Sequence, residues 1–243
     1  RGQSTVVDAY LTPILREYVD NFLSGLAPDF EKHARIEFMQ SDGGLCSWRK
    51  FTGLKSLLSG PAGGVVGEAL TCYDDKVKIP IIGCDVGGTS LDCLRFAGEY
   101  EFSFESITAG IKIAAPQLDI NTVAAGGGSI LSYQNGVFKV GPESAGAHPG
   151  PACYRKGGPL TVTDANVFVG RILPEYFPKI FGPTEDQPLD YGITKEKFEA
   201  LARKINLDTP DHPKTAEEIA LGFLTVANYQ MARPIRDLTE SKG

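Results

Sequence analysis

Asp85-Val86-Gly87-Gly88-Thr89-Ser90-Leu91-Asp92 is the sharpest chemical signal in the chain. A carboxylate leaves an apolar run just before two glycines and two hydroxyls. Glycines let turn amides face an anion, and Thr89 and Ser90 add hydroxyl donors, so the stretch suits phosphate oxygens. Asp85 and Asp92 repel phosphate themselves. Either can hold Mg2+ through water or orient a nucleophile, which makes them the candidate catalytic pair and Asp85 a candidate metal position. A plain hairpin turn headed by an aspartate has the same local pattern.

Two more glycine clusters carry a similar ambiguity. Ser59-Gly60-Pro61-Ala62-Gly63-Gly64 runs into a helix, whose free N–H groups and dipole favour an anion. Gly60, Gly63 and Gly64 therefore join Gly87, Gly88, Thr89 and Ser90 as candidate cofactor-binding residues. Close helix packing through small residues would select the same stretch. Gly126-Gly127-Gly128 is the third cluster, with the same two readings. None is a Walker A loop or a dinucleotide fingerprint, so no nucleotide class follows from spacing alone. His148 and Cys153 share a rigid Pro/Gly loop, either as a metal or catalytic pair or as packing residues. The spacing is not a standard zinc pattern, which favours packing, with His148 kept as a candidate metal ligand. Asp164, in Thr161-Val162-Thr163-Asp164, reads as a helix cap rather than a catalyst.

These residues need elements to position them. Apolar spacing predicts a helix over about 13–26, capped by Thr12 with Pro13 at its first position. A strand follows at 35–39, a turn at 40–44, and a helix from Ser59 to about Tyr73. Residues 79–84 read as a buried strand, 91–96 as a second and 100–105 as a third, a meander around the Asp85 turn. Residues 124–164 read as ordered, functional loops, and the five prolines from Pro174 to Pro188 as a crossing segment. A helix returns at 194–205. Another opens on the capping box Thr215–Glu218, with Ile219, Phe223, Leu224, Ala227 and Met231 inward and Pro234 kinking or ending it.

Composition sets outer limits. The 243 residues hold 24 Lys+Arg against 30 Asp+Glu, a net charge of −6, which argues against nucleic-acid binding by bulk charge. No apolar run approaches the 18 or so residues of a membrane span. Five cysteines, odd in number and without a Cys-x-x-Cys pair, read as free thiols of a cytoplasmic protein.

In combination the motifs resemble one family. Gly60-Pro-Ala-Gly-Gly64, Asp85-Val-Gly-Gly-Thr89, Pro116 to Ser129, Val140 to Tyr154 and Thr161 to Asn166 occur in the order of the hydantoinase A/5-oxoprolinase family. Phe181 to Leu189 and Arg233-Pro-Ile-Arg236 look like its eukaryote-type branch. The resemblance implies an α/β fold, a lobe of the actin/hexokinase/Hsp70-type ATPases with a mixed sheet and flanking helices. It implies ATP-coupled opening of 5-oxo-L-proline to L-glutamate, with Mg2+ and a stimulating monovalent cation such as K+. It also implies a hydantoinase B-like half as partner, a homodimeric enzyme, and a second phosphate loop before residue 1. On that reading residues 1–243 are the central part of an ATPase domain. They would comprise a helix/strand segment at 1–78, a phosphate-loop and sheet region at 79–170 and a helical segment at 171–243, holding part of an ATP site. Leu91 stands where the family commonly has Thr, which removes one hydroxyl. An ATP-dependent hydantoinase or acetone carboxylase-type subunit would share these motifs, and so would a silent actin-like module.

Overall fold

The computed structural model describes residues 2–108 and 110–240. The chain divides into two compact units, Arg1–Asp85 with Asp92–Asn121, and Val86–Leu91 with Thr122–Gly243. The glycine-rich stretch 79–170 is shared between them.

The first unit opens on helix α1 (Gly2–Ser24), which begins about three turns earlier than its apolar spacing predicts and carries Pro13 in its interior. The reason is tertiary. Strands β1 (Glu37–Met39) and β2 (Leu45–Ser47) pair antiparallel, and the short helix α2 (Gly53–Ser56) follows them. Asp8 Oδ1 accepts from the Leu54 amide at 2.8 Å and Thr12 Oγ1 from the Gly53 amide at 3.0 Å. Residues read as a flank and a cap thus belong to a helix that caps its neighbour. Pro13 removes only one intrahelical donor.

Helix α3 (Ser59–Cys72) lies where the sequence puts it. Its Ala62 and Val65 join Leu94 and Leu118 in a small core. Strands β3 (Ile81–Val86) and β4 (Leu91–Phe96) flank the Asp85 turn as expected. The third strand does not. β5 (Phe102–Ser103) is two residues long and pairs with β8 (Gln117–Leu118), while β6 (Ser106–Thr108) pairs with β7 (Ile111–Ile113). The place beside β4 goes to β9 (Ile120–Val123), giving the order β3-β4-β9. Leu91, Cys93, Leu94 and Phe96 of the middle strand are buried, whereas β3 lies at the edge and buries only Gly83. The expectation of a buried strand at 79–84 is therefore corrected, and Asp85 is exposed.

The second unit packs a hairpin on three helices. β10 (Ser129–Gln134) and β11 (Val137–Ser144) are joined at Asn135-Gly136, both with positive φ (51° and 78°), as tight hairpin turns require. Helices α4 (Val162–Phe168), α5 (Tyr191–Asp208) and α6 (Ala216–Glu240) bury Phe168, Phe198, Ile219, Phe223 and Ala227 in one core. Phe168 stacks on Phe198 at 5.0 Å, and Phe138 meets Phe223 at 4.7 Å. The Thr215–Glu218 box forms, its amides and side chains exchanging bonds of 2.7 and 3.1 Å. Pro234 does not end α6. It is buried inside the helix, which continues to Glu240 and buries Leu238, so the lost donor is outweighed by packing.

Candidate functional site

The turn after β3 closes with the Gly87 amide donating to the Ser90 carbonyl at 2.9 Å. Its carbonyls are held from behind: Gly127 N donates to Gly87 O at 3.0 Å, and Gly128 N to Gly88 O at 2.7 Å. Gly126 N donates to Ser129 Oγ at 2.9 Å. All three amides of the 126–128 cluster are thus engaged by the protein, so the cluster is a cradle for the 87–88 turn. Among the described residues, the Gly88 and Thr89 amides and the Thr89 and Ser90 hydroxyls donate to nothing. Carbonyls pinned behind and donors free in front are what an anion-binding turn needs.

The glycines differ in why they are glycine. A Cβ on Gly126 would stand 2.6 Å from Gly87 O and 2.7 Å from Gly88 C, and one on Gly128 2.8 Å from Gly88 O. Gly126→Ala should therefore cost about 1–3 kcal/mol through overpacking, read as a lower urea midpoint. At Gly88 a Cβ meets nothing within 4 Å, and φ is not positive. Gly88→Ala should leave the midpoint unchanged, so any loss of nucleotide affinity in that variant reports ligand approach alone.

Support for the cradle comes from the first turn of α4. Thr163 donates to the Gly127 carbonyl through both its amide (2.8 Å) and its hydroxyl (2.9 Å). Asp164, fully buried, accepts from Ala152 N at 3.0 Å, Cys153 N at 2.8 Å, Thr161 N at 2.8 Å and Thr161 Oγ1 at 3.0 Å. A buried carboxylate is tolerated because these four donors, with Thr194 Oγ1 as a fifth at 3.4 Å, surround it. Its role as a helix cap is met by a full capping box with Thr161. It also ties down the loop carrying His148 and Cys153, which was not legible in the sequence. Cys153 is fully buried, and burial, then the Asp164 charge, pushes its thiol far above the ordinary range. His148, in the same loop, is exposed.

Asp85 and Asp92 face one another. The Gly87–Ser90 bond fixes the hairpin register, and counting back places Asp85 opposite Asp92 and Cys84 opposite Cys93. Asp85 is exposed and Asp92 half-buried. A third carboxylate, missed in the sequence, lies near them. Glu68 of α3 rests over the Gly83 backbone, with Oε2 buried and without a hydrogen-bond partner. Burial, then the Asp85 charge, raises its pKa above the usual glutamate value. A raised acid pKa contributes stability that is lost as pH rises from the ordinary glutamate range through the folded value. Glu68→Gln should therefore raise the melting temperature at pH 7 and leave it unchanged below pH 4. An equal gain at both pH values would contradict the charge argument. The helical position of Glu68, eight residues after Gly60, offered no signal; only the fold brings it to β3.

Gly60, Gly63 and Gly64 belong to α3 in the first unit, whereas 87–90 and 126–128 belong to the second. A Cβ on Gly60 or Gly64 meets nothing within 4 Å, and at Gly63 only Met39, at 3.9 Å. Packing among the described residues does not demand glycine there. No group of three or more His, Cys, Asp or Glu side chains able to hold a metal occurs among the described residues.

Fold and site together define a mixed α/β protein with a glycine turn braced by the first turn of a helix. The chain belongs to the hydantoinase/oxoprolinase family, whose profile matches residues 1–243. It is 58% identical over its whole length to the 5-oxoprolinase of Saccharomyces cerevisiae, of which it covers 19%. Among solved structures it resembles the ATP-dependent caprolactamase from Pseudomonas jessenii, with a TM-score of 0.67 and 30% identity, covering 96% of this chain and 33% of that one. It also shares its fold with a nucleotide-free acetone carboxylase (TM-score 0.70, 24% identity, 86% of this chain and 28% of that one). No helix among the described residues is long and apolar enough to cross a membrane.

Proposed function

We propose that this chain is part of a cytoplasmic ATP-dependent enzyme that opens 5-oxo-L-proline to L-glutamate, with the 87–90 turn gripping ATP phosphates. The observation that carries the phosphate assignment is the turn itself: donors free at Gly88, Thr89 and Ser90, carbonyls held by Gly127 and Gly128. The substrate assignment is supported by whole-chain identity of 55–60% to several eukaryotic proteins, three of which are named 5-oxoprolinases. The chain spans 19% of the first of these relatives, so the activity is that of a longer protein, which in this reading carries a hydantoinase B-like half and works as a homodimer.

The physical need is clear. An unstrained lactam is a poor electrophile, and transfer of the ATP γ-phosphoryl to its oxygen, releasing ADP, creates a leaving group. Water then adds to the lactam carbon, the ring C–N bond breaks with its nitrogen taking a proton and leaves an acyl phosphate, and a second water releases phosphate and the open-chain glutamate. Such transfer rests on positioning and charge neutralisation. In this reading Gly88, Thr89 and Ser90 bind phosphate oxygens and Asp85 and Asp92, at the ends of the same hairpin, orient the reacting groups; Gly60, Gly63 and Gly64 are cofactor-binding candidates of the first unit by themselves. The exposed Asp85 carboxylate suits Mg2+ held through water, since hard oxygen donors are what that ion takes. Mg2+, when bound, would neutralise phosphate charge, and K+ would serve as the monovalent ion. The lobe would be of the actin/hexokinase/Hsp70 type.

The test is substrate-dependent ATP hydrolysis by the full-length protein. Turnover should be stimulated by 5-oxo-L-proline with equimolar glutamate formed, and only weakly by caprolactam or hydantoin. Stimulation by one of those instead would reassign the substrate.

A further inference from the structure

Cys84 and Cys93 stand at the neck of the Asp85–Asp92 hairpin, one on each strand. Their Sγ atoms lie 3.8 Å apart and both thiols are free. The register makes them a directly opposed pair, two residues further from the turn than the non-bonded Val86–Leu91 pair and so of the same non-hydrogen-bonded kind. Such pairs hold their Cα atoms at roughly 4.5 Å, inside the range a disulfide spans. Cys84 is exposed, whereas Cys93 is fully buried beneath it. None of the phosphate-binding roles above uses either sulfur.

We propose that Cys84 and Cys93 are a modification site, forming a reversible disulfide under hydrogen peroxide that restrains the hairpin and lowers ATP turnover. The effect on turnover rests on the phosphate-turn reading; the bond itself does not. The exposed Cys84 sulfur attacks peroxide, the O–O bond breaks, and sulfenic acid and water form. The Cys93 sulfur then attacks the Cys84 sulfur, the S–O bond breaks, the Cys93 proton leaves with the hydroxyl as a second water, and the S–S bond closes. Two electrons pass from the thiols to one peroxide, and a dithiol reductant returns them.

Burial, with help from Cys84 itself, pushes the Cys93 thiol up to about 12. Proximity opposes that push, since well-oriented neighbours react at effective molarities of about 10⁵ M or more. Oxidising Cys84 to a neutral sulfenic acid also removes its own share of the upward push. Closure draws the sulfurs from 3.8 Å to about 2.0 Å, immediately beside the opposed Asp85 and Asp92. Transient, sensing disulfides of this kind are the ones a reducing compartment admits.

Full-length protein is treated with hydrogen peroxide, alkylated with N-ethylmaleimide and digested. A peptide pair joined through Cys84 and Cys93, two hydrogens lighter and released by dithiothreitol, is expected. ATP hydrolysis should fall at least tenfold and recover on reduction. Cys84→Ser should keep its turnover under the same treatment, and Cys93→Ser should accumulate a dimedone-reactive sulfenic acid at Cys84. Because Cys84 is exposed, Cys84→Ser also guards against a folding defect in the Cys93 variant. Sulfinic acid at Cys84 without a cross-link would overturn the proposal. So would a cross-link that leaves turnover unchanged, while the phosphate-turn reading would still be judged by Asp85→Asn in reduced protein.

Discussion

Asp85→Asn in the full-length protein is expected to lower 5-oxo-L-proline-dependent ATP hydrolysis about 100-fold or more with no fall in melting temperature. The asparagine keeps the shape of the side chain and removes one charge. Because Asp85 is exposed, neutralising it loses no buried partner, and the relief of its repulsion on Glu68 acts only to raise the melt. The expected loss is the size seen when one preorganised electrostatic group is removed from an active site. Thr89→Ala is the companion variant. It deletes a hydroxyl from the front of the turn, and if that hydroxyl binds a phosphate oxygen the cost is about 1.5–3 kcal/mol, or roughly 10–100-fold in nucleotide affinity. A plain hairpin turn predicts the opposite for both, with ATP hydrolysis near wild type. That result with a normal melt would remove the phosphate assignment.

Asp164→Ala should be the most destabilising single change in the second unit, by about 3–5 kcal/mol. The substitution leaves the Cys153 and Thr161 amides facing a dry space, and the Ala152 amide with only Pro159 O as acceptor. Each unsatisfied buried donor costs about 1–3 kcal/mol, and relaxation or entering water returns part of the sum. Asp164→Asn should recover only part, because its amide nitrogen would point a donor at donors. Urea denaturation measures both. A loss under 1 kcal/mol for Asp164→Ala would mean that the loop and the α4 N-terminus do not depend on this carboxylate. A large loss should also weaken nucleotide binding in the full-length protein, since neighbouring Thr163 holds Gly127, and Gly127 holds the 87–88 turn.

The sequence by itself determined the local elements whose signals are local. Ser59-Gly60-Pro61 begins α3, Leu91–Phe96 is β4 to the residue, and the Thr215–Glu218 box opens α6. It also determined that Gly87 to Ser90 form a turn between two strands and that the long motifs belong to one family. Capping, turn chemistry and apolar period act within a few residues, so they can be read in order along the chain. Tertiary structure alone decided the partners. It gave the place beside β4 to β9 rather than to residues 100–105, left β3 at an edge with Asp85 exposed, and kept α6 running through Pro234. It also divided the glycines by task. Gly126 and Gly128 are glycine because backbone stands where a Cβ would be, whereas Gly88 faces open space. Identical residues in similar clusters differ here because contact with a distant segment depends on the path of the whole chain, and no local spacing encodes which backbone will lie against which.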